Sequence, residues 1–179
     1  VPHIAKRLVI DTDVAIAAGD ELPHDSRPKI CKDFLIAVFE SKHTVVITSA
    51  IYTEWQNHPT KFLTRWLASM YKKGKVYEVD AATNYRLRNR LTVVATGDVK
   101  RAAMLKDAHL IEAAFQADRI VISMDETVRH CFHNAAIHVF VLKQITWVNP
   151  CKDDENAIEW LERGAEREQE RCLGYSKDT

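Results

Sequence analysis

The sequence predicts an α/β fold, a three-layer sandwich with a central, mostly parallel sheet of four to five strands flanked by helices. Three observations carry that expectation. Short runs rich in Val, Ile and Leu, at residues 8–10, 44–48 and 120–122, have the length and β-branching of buried strands. Between them stand longer stretches whose apolar residues recur three and four apart, as on one face of a helix. No hairpin signal joins any two of the runs, so consecutive strands are linked by crossovers and run parallel.

Leu8-Val9-Ile10 is the first strand, and it gives way at once to Asp11-Thr12-Asp13. The Gly, Pro and Asp content of residues 19–28 marks a loop. Ser26 then caps a helix that enters through Arg27-Pro28 and buries Ile30, Phe34, Leu35, Val38 and Phe39. Residues 44–48 (TVVIT) form the second strand, and Ser49 offers an N-cap to a short helix carrying Glu54. Phe62, Leu63, Trp66, Leu67 and Met70 define another amphipathic helix, closed near Gly74. Residues 76–79 alternate as a short strand.

For residues 84–90, which carry Arg86, Arg88 and Arg90, a helix and a basic loop fit equally. Residues 99–104 read as helical. A separate helix opens at Asp107 and turns Leu110, Ile111, Ala114 and Phe115 inward, with His109 either on the side of Asp107 or, the reading we favour, on a polar face. Residues 120–123 make a third buried strand that ends at Asp125, residues 126–132 a helix, and residues 138–142 (HVFVL) a fourth strand. From Asn149-Pro150 the chain turns highly charged, which divides it into a domain over 1–149 and a C-terminal helical extension over 150–179. That extension docks lightly through Trp160 and Leu161.

The 179 residues suffice for one domain with a real core, and 25 Lys/Arg balance 25 Asp/Glu. No run of eighteen apolar residues exists, so no membrane span is expected, and residues 1–7 lack a secretory apolar region. Cys31, Cys131, Cys151 and Cys172 are scattered with no CxxC pair, which argues against a zinc site and for reduced thiols in a cytoplasmic protein. His130 and His133, three apart, read as surface decoration. Residues 61–106 hold eleven Lys/Arg against three acids, whereas the chain from Pro150 onward is acidic. A phosphate-binding face and ordinary solvated helix faces account for the basic middle equally well.

The acids carry more information. A carboxylate just past a buried strand has no duty in the sheet, and Asp11 and Asp125 both stand there. In a parallel sheet all carboxyl ends share one edge. A helix leading into the next strand runs antiparallel to it and so starts at that edge, which brings Asp107 there. Glu54, early in the helix after the second strand, stays close. Four acids thus gather by topology, and like charges so close raise one another's pKa unless a cation compensates. Oxygen ligands alone suit Mg²⁺ or Mn²⁺, and the chemistry that uses them is in-line displacement at phosphorus.

Val9-Ile10-Asp11-Thr12, Glu54 after Thr48-Ser49, the stretch Asp107-Ala108-His109-Leu110-Ile111-Glu112-Ala113-Ala114, and Ile122-Ser123-Met124-Asp125 together resemble the PIN-domain nucleases over roughly residues 4–142. The resemblance implies that Asp11, Asp107 and Asp125 hold Mg²⁺ or Mn²⁺, with Glu54 as a ligand or water-orienting base. It implies an endoribonuclease on single-stranded RNA, toxin-like or otherwise, and leaves open an antitoxin or other protein partner and a homodimer. Two positions depart from the family pattern. Asp13 stands where Asn or Ser is common, adding a ligand, and Thr127 stands where an acid often follows the last Asp.

Arg86, Arg88, Lys72 and Ser123 are the candidate substrate-binding residues. Two rivals share the opening. One is a haloacid-dehalogenase-type phosphatase, with Asp11 as nucleophile and Asp13 as general acid, but Ala15 and the lack of a second acid beside Asp98 break its pattern. The other is a non-catalytic PIN-like module that binds RNA or protein.

Overall fold

A computed structural model describes residues 4–20, 22 and 24–176; Glu21 and Pro23 of the expected loop lie outside the described residues. Five strands form one all-parallel sheet: β1 (Arg7–Ile10), β2 (Thr44–Ile47), β3 (Val76–Glu78), β4 (Ile120–Ile122) and β5 (Thr146–Val148). Their order is β3-β2-β1-β4-β5, so the winding direction reverses between β1 and β4. Eight α-helices are present among the described residues: α1 (Thr12–Ala17), α2 (Arg27–Glu40), α3 (Ser49–Asn57), α4 (Lys61–Lys72), α5 (Tyr85–Val94), α6 (Asp98–Phe115), α7 (Glu126–Ala135) and α8 (Ala157–Glu162). α2 packs on α1, α4 and α8, and α6 on α5 and α7, which gives the three layers expected. None of the described helices is long and apolar enough to cross a membrane.

The central strands are apolar on both faces because helices cover both. Leu8, Val9 and Ile10 are wholly buried, in register with Ile120, Val121 and Ile122. Pro28 sits in the first turn of α2, as expected, although Ser26 makes no side-chain cap. At the other end of α2 the Lys75 ammonium donates to the carbonyls of Val38, Phe39 and Ser41 at 2.6–2.7 Å, satisfying a helix end that would otherwise lack partners. Burial and the nearby Lys73 hold that ammonium down, to about 8.

Three expectations need correction. Residues 138–142 are not a strand: Phe140–Gln144 is a turn of 3₁₀ helix, and the fifth strand is Thr146–Val148. Both segments are β-prone. Phe140 and Val141 face solvent, whereas all three residues of β5 are buried against β4, so burial decided between them. Asp107 does not open a helix; it lies midway along the 18-residue α6. Residues 84–90, for which a helix and a basic loop fit the sequence equally, need no correction and belong to the helix α5, capped by Asn84.

The C-terminal segment, finally, neither forms one helix nor docks lightly. Asn156 and Ala165 in left-handed conformation and Gly164 at φ 108° break it into α8 and two 3₁₀ turns. Trp160 and Leu161 are buried in the common core, and Cys172 bridges to Thr146 of β5.

His43 helps to fasten this segment. Its Nδ1 accepts the Lys6 backbone N–H at 2.9 Å, so Nε2 carries the proton and donates to the Leu161 carbonyl at 3.0 Å. Burial holds its pKa below the ordinary 6.5. A depressed histidine contributes stability above its unfolded pKa and loses it as pH falls toward the folded value. The share of the thermal midpoint that His43 supplies should therefore be lost as pH drops below about 6.5. His43→Gln, which can keep both bonds without titrating, should lose less than wild type between pH 7 and 5. Parallel profiles for the two proteins between pH 7 and 5 would show that His43 plays no such part.

Candidate active site

The reversal point between β1 and β4 opens a crevice at the carboxyl edge of the sheet, where open α/β folds bind ligands. A cleft of about 450 Å³ occupies it, lined by Asp11, Asp13, Glu54, Asp107 and Asp125. The fold thus brings together all five acids singled out in the sequence. Asp11 and Asp125 arrive because β1 and β4 end there, each serving as N-cap of the helix that follows. Asp107 arrives by a different route from the one expected. At about 1.5 Å per residue α6 spans roughly 27 Å, far longer than the three-residue β4, so its first half overhangs the edge and carries Asp107 over the cleft.

Ser123 and the backbone after it organise the inner acids. The Ser123 hydroxyl donates to Asp11 Oδ2 at 2.7 Å and lies 3.3 Å from Asp13 Oδ2. The Met124 N–H donates to the same Asp13 oxygen at 2.8 Å, and Asp125 Oδ1 accepts the Val128 N–H at 2.8 Å. The Thr12 hydroxyl donates to Glu54 Oε2 at 2.7 Å. His109 Nε2 lies 3.4 Å from that oxygen, within ion-pair reach but out of line for a hydrogen bond, while its Nδ1 is 3.0 Å from the Lys106 carbonyl. The Asp107 carboxylate makes no hydrogen bond and no ion pair among the described residues.

The electrostatics follow from this crowding. Desolvation first, and the Asp11 charge second, push Asp13 up to about 7 and Asp107 up to about 6. Asp11 is raised mainly by burial, against the pull of its bonds from Ser123 and Thr12. Lys106 and His58 are the basic side chains on the wall, with His109 behind Glu54.

A donor set made only of oxygens, desolvated and mutually repelling, fits a hard divalent cation. Among the described residues no three Asp, Glu, His or Cys side chains are arranged as a ready-made cage; Asp11, Asp13 and Asp125 each accept a bond from a backbone N–H.

The candidate substrate-binding residues are placed less favourably. Arg88 is committed to Glu112 through two bonds of 2.7 Å and to the Leu105 carbonyl. Ser123 is fully buried and holds carboxylates. Arg86 and Lys72 are exposed and line none of the described cleft.

Sequence reasoning gave no role to the Thr12 hydroxyl or to Lys106, and it placed His109 on a polar helix face instead of beside Glu54. Thr12 had a signal, standing between two strand-end acids. His109 had only its nearness to Asp107, and the polar face was favoured because, two residues on, a helix points elsewhere. No known family matches this chain, and no curated protein shows significant similarity to it.

Proposed function

We propose that the protein is a divalent-cation-dependent nuclease that hydrolyses phosphodiester bonds, an endoribonuclease acting on single-stranded RNA. Asp107 carries the reading. A half-buried carboxylate with no hydrogen bond and no ion pair among the described residues, opposed by burial and by the Asp11 charge and only partly relieved by Lys106 and His109, costs the fold stability. Such a group makes sense as a ligand waiting for positive charge. The likeness of the strand-end acids to the PIN-domain pattern supports the same reading.

In this scheme Asp11, Asp107 and Asp125 hold the cation, with Asp13 as an auxiliary. Bound Mg²⁺ or Mn²⁺ would supply charge neutralisation and Lewis acidity at the scissile phosphate. Thr12 fixes Glu54 by Oε2, and Glu54 Oε1, which no described residue engages, can take the proton from an attacking water. Ser123 and the Met124 N–H keep the inner acids aimed at the cleft.

The phosphatase alternative would need a second acidic motif near Asp98. Asp98 instead lies on the surface, paired with Arg101.

The test compares wild type with Asp11→Asn and Asp107→Asn on single-stranded RNA and DNA in Mn²⁺. Wild type should cleave, and each variant should lose at least about 100-fold, since even groups that merely support metal ligands commonly cost 10- to 100-fold. Equal activity in all three proteins would end the assignment. Release of phosphate from a small phosphomonoester, with no cutting of RNA, would favour the phosphatase.

A further inference from the structure

An acidic cleft repels a polyanion, so a nuclease built on it needs cations close by to hold the chain it cuts. Arg88 cannot serve, being committed to Glu112. A second concavity, a groove of about 570 Å³ between α2 and α4, can. Lys32 of α2 and Lys61 and Arg65 of α4 line it, over a floor made by Phe39, Phe62 and Trp66. All three cations are exposed, and none has a carboxylate within ion-pairing distance among the described residues. Lys32 Nζ stands 5.1 Å from the centre of the Phe62 ring, and Lys73 Nζ 4.0 Å from that of Phe39.

Groove and cleft adjoin. Gly19 lines the groove and Asp20 the cleft; across from them, Thr60 lines the groove and His58 the cleft. The saddle between is so close that a Cβ on Gly19 would fall 2.0 Å from Thr60 Oγ1.

We propose that this groove binds the sugar-phosphate backbone of a single-stranded nucleic acid next to the bond held in the cleft. The cations meet successive phosphates, and the half-buried Phe62 offers a ring on which a base stacks. An acidic peptide would match the charge but leave the rings unused, and nothing would bring it to the edge of the acidic cleft. The placement rests on the nuclease reading, whereas its binding test does not.

The probe is a fluorescent oligouridylate of about 12 nucleotides, within the span of single-strand sites. Its affinity is measured by anisotropy at several salt concentrations, with EDTA present so that nothing is cut. The variant Lys32→Gln/Lys61→Gln/Arg65→Gln should bind at least about 10-fold more weakly. Its log–log salt slope should shrink by about 2, near 0.7 for each phosphate of a single strand that is no longer neutralised. Phe62→Leu should weaken binding about fivefold or more with the slope unchanged. Thermal midpoints near wild type would show that the exposed substitutions leave the fold intact.

Wild-type affinity and slope in the triple variant would overturn the proposal. So would weaker binding on Lys72→Gln/Arg86→Gln in its place, or binding of polyglutamate but of no oligonucleotide. The two readings fail separately. Weak binding by the triple variant, without Mn²⁺-dependent cleavage by wild type, leaves the groove standing and removes the nuclease. Cleavage that needs Asp107 but ignores all three cations does the reverse.

Discussion

Asp107→Asn is expected to abolish cleavage and, in the absence of metal, to make the protein more stable. The second half separates a ligand from an ordinary structural acid. Asp107 has no bond to lose among the described residues, and asparagine fills nearly the same space without the charge that Asp11 and Asp125 oppose. Burial and the Asp11 charge push its carboxyl up to about 6 in the folded chain, from an ordinary 3.8. A raised folded pKa means stability that is complete below the unfolded value and lost as pH rises through the folded one. Wild type and variant should therefore melt together near pH 4 and diverge by pH 7–8. There the variant should lead by about 1 kcal/mol, discounted because the group is half exposed to solvent.

Millimolar Mn²⁺ should reverse the order, since a ligand bound only by the native state raises its midpoint. A variant less stable than wild type in EDTA at pH 8 would show that Asp107 serves the fold instead.

Glu155→Ala is expected to be among the more damaging changes to a polar residue outside the cleft, costing about 3 kcal/mol. Glu155 is buried, and Arg129 and Arg171 both donate to its carboxylate. The Asn149 N–H donates to it as well, at 3.0 Å. Removing it takes the shared carboxylate from two largely buried guanidinium groups, leaving Arg129 with Glu126 and the Trp147 carbonyl and Arg171 with Glu168, and frees the chain just after β5. For a chain of this size each kcal/mol moves the midpoint by about 2–4 °C, so a fall of roughly 10 °C is the expected reading. Glu155→Gln keeps the shape and some of the bonds and should cost less. A shift under about 2 °C in the alanine variant would mean that this cluster is solvated rather than structural.

How far the chain could be read in advance depended on whether the deciding interaction was local. Asp11 and Asp125 were readable because a run of Val and Ile that ends in acid is visible in a few residues, and parallel topology then puts the ends together. Glu54 followed from the N-cap signal after TVVIT, although Thr48 rather than Ser49 supplies the cap. The long helix α6 reads as two because the Gly97 break is followed by residues of good helical propensity, and nothing local distinguishes one helix from two abutting ones. Between residues 138–142 and Thr146–Val148 the choice rests on β4, more than twenty residues earlier in the chain.

Arg88 and Glu112 are 24 residues apart, so an arginine that looks free in sequence is already taken. The basic groove was half visible. Lys61 and Arg65 belong to the basic stretch, while Lys32 joins them only through the packing of α2 on α4.

The bridge from Cys172 to Thr146, with the Leu173 N–H donating to the Ile145 carbonyl at 3.0 Å, lies along the outer margin of β5. A bare margin of that kind invites a neighbouring molecule to add a strand of its own. Here it is already occupied by the chain itself. Two copies joined by extending the sheet would have to meet at β3, whose three residues end in Glu78 and follow directly on Lys73 and Lys75, giving such a seam little length to hold.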